Sequence, residues 1–130
     1  DVIEPLRVGR AGRYRRYDWA GRALAEWHEV PAAPVLLVEG VGAGRREFAT
    51  ALAFVAWIET PPEVRLARGI ERDGENMRAF WNQWIAGERR HFAQDRTRDR
   101  TSLVVCGNPP VAHDPGSEYV AITDVAGSPR

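Results

Sequence analysis

Lysine is missing from this chain: all 18 basic residues are arginine. The omission excludes a Walker A loop within these residues, because G-x-x-x-x-G-K-[ST] needs a lysine ammonium on the β- and γ-phosphates. Cysteine is nearly missing too, and Cys106, standing alone, cannot form an internal disulfide. No apolar run approaches the roughly 18 residues of a membrane span, and no charged-then-apolar amino terminus marks a secretory signal. A soluble, cytoplasmic protein is expected, without a membrane partner. One-sided charge is absent as well. Acids and bases balance at 18 each, which removes the net positive field of a nucleic-acid binder, and no nucleic-acid partner is expected.

What is present fits one globular domain. A chain of 130 residues can bury its own core and is too short for two ordinary domains. Its most informative stretch is Val35, Leu36, Leu37 and Val38, followed by Glu39 and Gly40. A parallel strand is covered on both faces and therefore reads as an unbroken apolar run. Glu39 would emerge at the carboxyl end of such a strand, where open α/β sheets bind ligands. Either it serves a site there or it merely leaves the core.

The rest of the chain supplies further elements. Residues 1–8 read as a helix end, with Val2, Ile3 and Leu6 on one face. Residues 13–19 are aromatic enough for a strand or extended loop, after which Asp18 caps a predicted helix carrying Ala23, Leu24 and Trp27. Gly40, Gly42 and Gly44 make a turn that does not fit G-x-G-x-x-G, and a helix is expected over 46–52. A second apolar run covers 54–58 and closes on Glu59. Thr60 as N-cap, Pro61 in the first helical position and Glu63 three residues after the cap predict a helix start. That helix turns Val64, Leu66, Ala67 and Ile70 inward and stops at Asp73 and Gly74. A long amphipathic helix over 76–95 carries Met77, Phe80, Trp81, Trp84, Ile85 and Phe92 at mostly helical spacing. A charged connection, 96–100, leads to a third strand, Leu103 to Cys106. The polar remainder, 111–130, contains a candidate edge strand at 119–122. Strand, helix, strand, helix pair, strand describes an α/β fold with a parallel sheet flanked by helices.

Arg65, Arg68 and Arg72 recur at three and four residues along one helix face. Such a row either clamps phosphate oxygens bidentately or forms a solvated face paired with Glu63, Glu71 and Asp73. A second arginine set, Arg13, Arg15 and Arg16, precedes Tyr17, Asp18 and Trp19. There an aromatic can stack on a base and the aspartate can accept from ribose hydroxyls; the alternative is that the aromatics are core. His28, His91, His113 and Cys106 lack ligand spacing, which argues against zinc or haem. No G-x-S-x-G elbow is present.

Taken in order, Tyr17-Asp18-Trp19, Val38-Glu39-Gly40, Arg65-Leu66-Ala67-Arg68 through Arg72-Asp73, Gln83-Trp84 and Leu103-Val104-Val105 resemble the C-terminal two-thirds of the uridine kinase family of P-loop nucleoside kinases. The resemblance covers about 1–110, with a lid region at about 65–83, and implies a P-loop NTPase fold whose first strand and phosphate-binding loop belong upstream. It implies an ATP- and Mg²⁺-dependent kinase acting on a uridine- or cytidine-like nucleoside or similar hydroxyl acceptor, with this chain alone inactive. The alternative is a non-catalytic nucleotide-binding regulatory domain.

Residue by residue, the resemblance implies that Tyr17, Asp18, Trp19, Arg22 and Gln83 bind the acceptor. Arg22 occupies the place of the family's base-reading histidine. Glu39 would lie near Mg²⁺. Arg68 and Arg72 would approach the phosphates as catalytic groups, while Arg65, Gly107 and Asn108 would lie on the ATP side. A homo-oligomer is left open.

Overall fold

The computed structural model describes residues 1–123, and the chain divides into two compact units, Asp1–Ala43 and a second beginning at Gly44. In the first, a short helix α1 (Ile3–Arg7) precedes an antiparallel hairpin of β1 (Gly12–Asp18) and β2 (Ala23–Val30). The predicted helix end at the amino terminus is present, and the segment read as a strand or extended loop is the strand β1.

The helix expected after Asp18 is not; that segment is β2. Asp18 does accept an amide, its Oδ1 taking the Ala20 N–H at 3.2 Å, but the turn it stabilises joins two strands. Arg13 pairs with Glu29, Tyr14 with His28 and Arg15 with Trp27 across the hairpin, and the register shifts between Arg15 and Tyr17. Arg15 supports that irregularity, its Nε donating to Ala25 O at 2.8 Å and its Nη2 to Leu24 O at 2.6 Å.

The apolar run at 35–38 forms no strand. Val35 is 80% exposed and Leu37 89%, and the backbone is irregular throughout 35–39. A fully apolar run becomes a strand only where neighbours take its N–H and C=O groups and helices cover its faces. Within the first unit the two strands present pair with each other.

The second unit is a β-α-α-β crossover. After a 3₁₀ turn at Arg46–Phe48, which replaces most of the helix expected over 46–52, come β3 (Ala56–Glu59), α2 (Pro62–Asp73), α3 (Arg78–Asp95) and β4 (Leu103–Cys106). Strands β3 and β4 pair in parallel, Ala56 with Leu103 through Glu59 with Cys106. The candidate edge segment lies antiparallel on β4: Ala121 bridges Val105, Cys106 N–H donates to Val120 O and Ile122 N–H to Val104 O, both at 2.8 Å. The tail's residues 124–130 lie outside the described residues.

Helix α2 begins one residue later than the capping box implies. A residue before proline avoids the helical region, so Pro61 stays extended (ψ 138°) as N-cap, Pro62 becomes the first helical residue, and no side chain caps the turn. Val64, Leu66 and Ile70 are half-buried as expected; Ala67 is exposed, and Gly69 is the buried position. A Cβ at residue 69 would lie 2.7 Å from Cε2 of Trp81, so the missing side chain lets α3 approach. The Arg65–Glu88 ion pair ties the same two helices, and Trp57 meets Phe92 edge-to-face at 4.6 Å, joining β3 to α3. Phe80 and Trp84, expected in the core, are exposed.

Candidate functional site

The parallel register ends both strands of the second unit at one level, so Glu59 and Thr60 emerge beside Gly107 and Asn108. Gly107 N–H extends the ladder by donating to Glu59 O at 2.8 Å. Thr60 is buried, and any Cβ at residue 107 would fall inside the van der Waals envelope of its Oγ1 and 2.8 Å from Ile58 Cγ2. Glycine is required there by contact. The turn after β4 is thereby pressed onto the end of β3.

Arg68, near the middle of α2, reaches back to this edge. Its Nη1 donates to Gly107 O at 2.9 Å and its Nη2 to Asn108 Oδ1 at 3.2 Å. Both acceptors are neutral oxygens, so these two bonds orient the guanidinium without cancelling its charge.

The neighbouring arginines of α2 have other partners. Arg65 pairs with Glu88, whose side chain is largely covered. Arg72 forms a two-pronged pair with Asp73, Nε to Oδ1 at 2.8 Å and Nη2 to Oδ2 at 3.0 Å, and lies 5.4 Å over the Trp81 ring. The Asp73 carboxyl is held below its usual range first by Arg72 and also by the indole N–H of Trp81, which donates at 3.1 Å. Of the residues expected on the ATP side or at the phosphates, Arg68, Gly107 and Asn108 come together. Arg65 and Arg72 share the helix but are engaged by carboxylates.

The remaining candidates divide between the units. Gln83 is exposed on α3. Tyr17 and Trp19 of the first unit meet edge-to-face at 4.9 Å, and Arg22 closes the hairpin turn with a left-handed backbone, φ 50°. Glu39 lies in exposed coil. Among the described residues no three His, Cys, Asp or Glu side chains gather to hold a metal ion.

Sequence reasoning missed a second polar centre, Asp95 with Arg100. Asp95 accepts from the Thr97 hydroxyl, from the Arg46 amide at 2.8 Å and from Arg100 Nη2 at 2.6 Å. In that order these donors hold its carboxyl well below the usual carboxylate range. Arg100 also reaches Gly44 O at 3.3 Å, tying the unit's first residues to the end of α3. Asp-x-Thr after a helix is a local signal for such a turn; the partners at residues 44 and 46 are distant in sequence and had none.

The fold defines a mixed α/β protein with one short parallel pair and one antiparallel hairpin. No family model matches the chain, and no curated protein matches it. No helix among the described residues is long and apolar enough to cross a membrane.

Proposed function

We propose that this chain is the acceptor-and-lid part of an ATP-dependent phosphotransferase of the uridine kinase-like P-loop class, acting on a nucleoside or similar small hydroxyl acceptor. The observation that carries the reading is Arg68: a guanidinium whose two bonds go to neutral oxygens, at the carboxyl end of a parallel strand pair. That edge is where open α/β sheets bind ligands, and an oriented cation there is what stabilises charge on a transferring phosphoryl group. Catalysis would rest on positioning and electrostatics. Lacking lysine, the chain has no Walker A donor of its own.

Calorimetry of the full chain tests this. Saturable binding of ATP, with no ADP release in a coupled assay, is expected. No saturable ATP binding at millimolar concentration overturns the reading, and turnover by this chain alone overturns the division of labour.

A non-catalytic nucleotide-binding domain is favoured by one observation, the Arg72–Asp73 pair, which neutralises the second cation of the lid helix. A version carrying a phosphate-binding segment ahead of residue 1 separates the two readings. Acceptor-dependent ADP release supports the kinase, and ATP binding without turnover across a nucleoside panel supports the regulator.

A further inference from the structure

The acid that stands at the carboxyl end of a parallel strand is Glu59, not Glu39: β3 ends on it, level with Cys106 of β4. Its carboxylate is held on one side. Oε2 accepts the indole N–H of Trp57 at 3.1 Å and Arg98 Nε at 2.8 Å, while among the described residues no donor engages Oε1. Both donors are anchored in turn, Trp57 edge-to-face on Phe92 of α3 and Arg98 within the 3₁₀ turn Thr97–Arg100. The orientation of the carboxylate is thereby fixed from two elements, and the side chain is 42% exposed, so a ligand can reach the free oxygen.

Arg68 serves the same edge. Gly107 links the two residues, its N–H donating to the Glu59 carbonyl at 2.8 Å and its carbonyl accepting from Arg68 Nη1 at 2.9 Å. The two side chains offer opposite chemistry. The Arg68 charge is left for phosphate, whereas the Glu59 charge is partly offset by Arg98 and repels a nearby polyphosphate less than a lone carboxylate would. A carboxylate accepts and cannot donate, so whatever binds at Oε1 must bring a hydrogen. A phosphorylated ligand that also carries hydroxyls satisfies both groups, and the ribose diol of a nucleotide is such a donor. In dinucleotide-binding sheets a strand-end acid takes a ribose hydroxyl in this way.

Resting on the proposed nucleotide-binding reading, we infer that Glu59 accepts the ribose hydroxyls of the nucleotide whose phosphates meet Arg68, with Trp57 and Arg98 as its positioning residues, so that the site selects ribonucleotides over nucleotides lacking the diol. The competing account is a purely structural one, in which Glu59 only ties the 3₁₀ turn to β3. Glutamine separates the two. Its amide oxygen can keep the Trp57 and Arg98 bonds, and its amide nitrogen then stands where Oε1 was and donates instead of accepting.

The test titrates the full chain with ATP, 2′,3′-dideoxy-ATP and inorganic tripolyphosphate. The wild-type chain is expected to prefer ATP over the dideoxy analogue by about tenfold, the low end for one hydrogen bond to a charged group. In Glu59→Gln that ratio should fall to within about twofold of one, with the unfolding midpoint unchanged. Loss of the negative charge acts on all three polyanions alike, which the tripolyphosphate titration measures and the ratio cancels. Equal affinity of the wild-type chain for the two nucleotides, retention of the ratio in Glu59→Gln, or a lost ratio accompanied by a lowered unfolding midpoint overturns the inference while the nucleotide-binding reading stands. Failure of ATP to bind removes both.

Discussion

Glu26 shows how single side chains organise the first unit. Arg16 grips both carboxylate oxygens, Nε to Oε1 at 2.7 Å and Nη2 to Oε2 at 3.1 Å, and His28 Nε2 lies 3.1 Å from Oε1. The Arg16 bonds first, then the residue's own backbone amide and His28, pull the carboxyl from its usual 4.5 down to about 2. The folded form thus binds fewer protons than the unfolded one between those values, so the stabilisation is complete above about 4.5 and fades as pH falls toward 2. Titration of the Glu26 side chain by NMR should show the depressed midpoint, and Glu26→Gln should remove this part of the acid dependence of hairpin stability. Asp18, at the same scale, was legible in kind. A short carboxylate that accepts a nearby amide is apparent in the sequence, but whether the turn opens a helix or closes a hairpin depends on the strand beyond it.

Among the elements, the α2–α3 pair rests on a glycine that helix propensity disfavours. Alanine at residue 69 would gain about 1 kcal/mol of propensity, but its Cβ would meet the Trp81 ring at 2.7 Å, and overpacking costs about 1–3 kcal/mol. Gly69→Ala is therefore expected to lower stability by about 1 kcal/mol and to shift tryptophan fluorescence, checked by denaturant unfolding. An isolated glycine inside a helical pattern was the available signal. The helices and strands of the second unit were legible because their cues are local: prolines at the start of α2, apolar spacing along α3 and short apolar runs for β3 and β4. Strand β2 was not, because Ala23, Leu24 and Ala25 are good helix formers and Leu24 and Trp27 sit at helical spacing. Propensity of this kind yields to cross-strand pairing of the Tyr14–His28 and Arg15–Trp27 type. The Arg68 contact with Gly107 and Asn108 spans about 40 residues, so helix spacing identified the arginine but not its acceptors.

For the molecule as a whole, among the described residues no hydrophobic side chain is fully buried. The run at 35–38 makes the point most sharply, since its pattern is that of an interior strand and its side chains face solvent. The two environments differ in a measurable way. Leu37→Ala in a packed interior would cost about 2–5 kcal/mol, whereas at an exposed coil position the change stays within about 0.5 kcal/mol. The structure predicts the small value, readable as an unchanged unfolding midpoint.

The contacts among the described residues include arginine links to Glu26, Asp73, Glu88 and Asp95 and to the carbonyls of Gly107, Leu24 and Ala25. A guanidinium keeps its proton through any alkalinity a protein meets, and the Arg16 and Arg72 pairs raise that limit further. The ionic scaffold of this chain is therefore lopsided in its tolerance: acid dismantles it from the carboxylate side, while base leaves its cations charged.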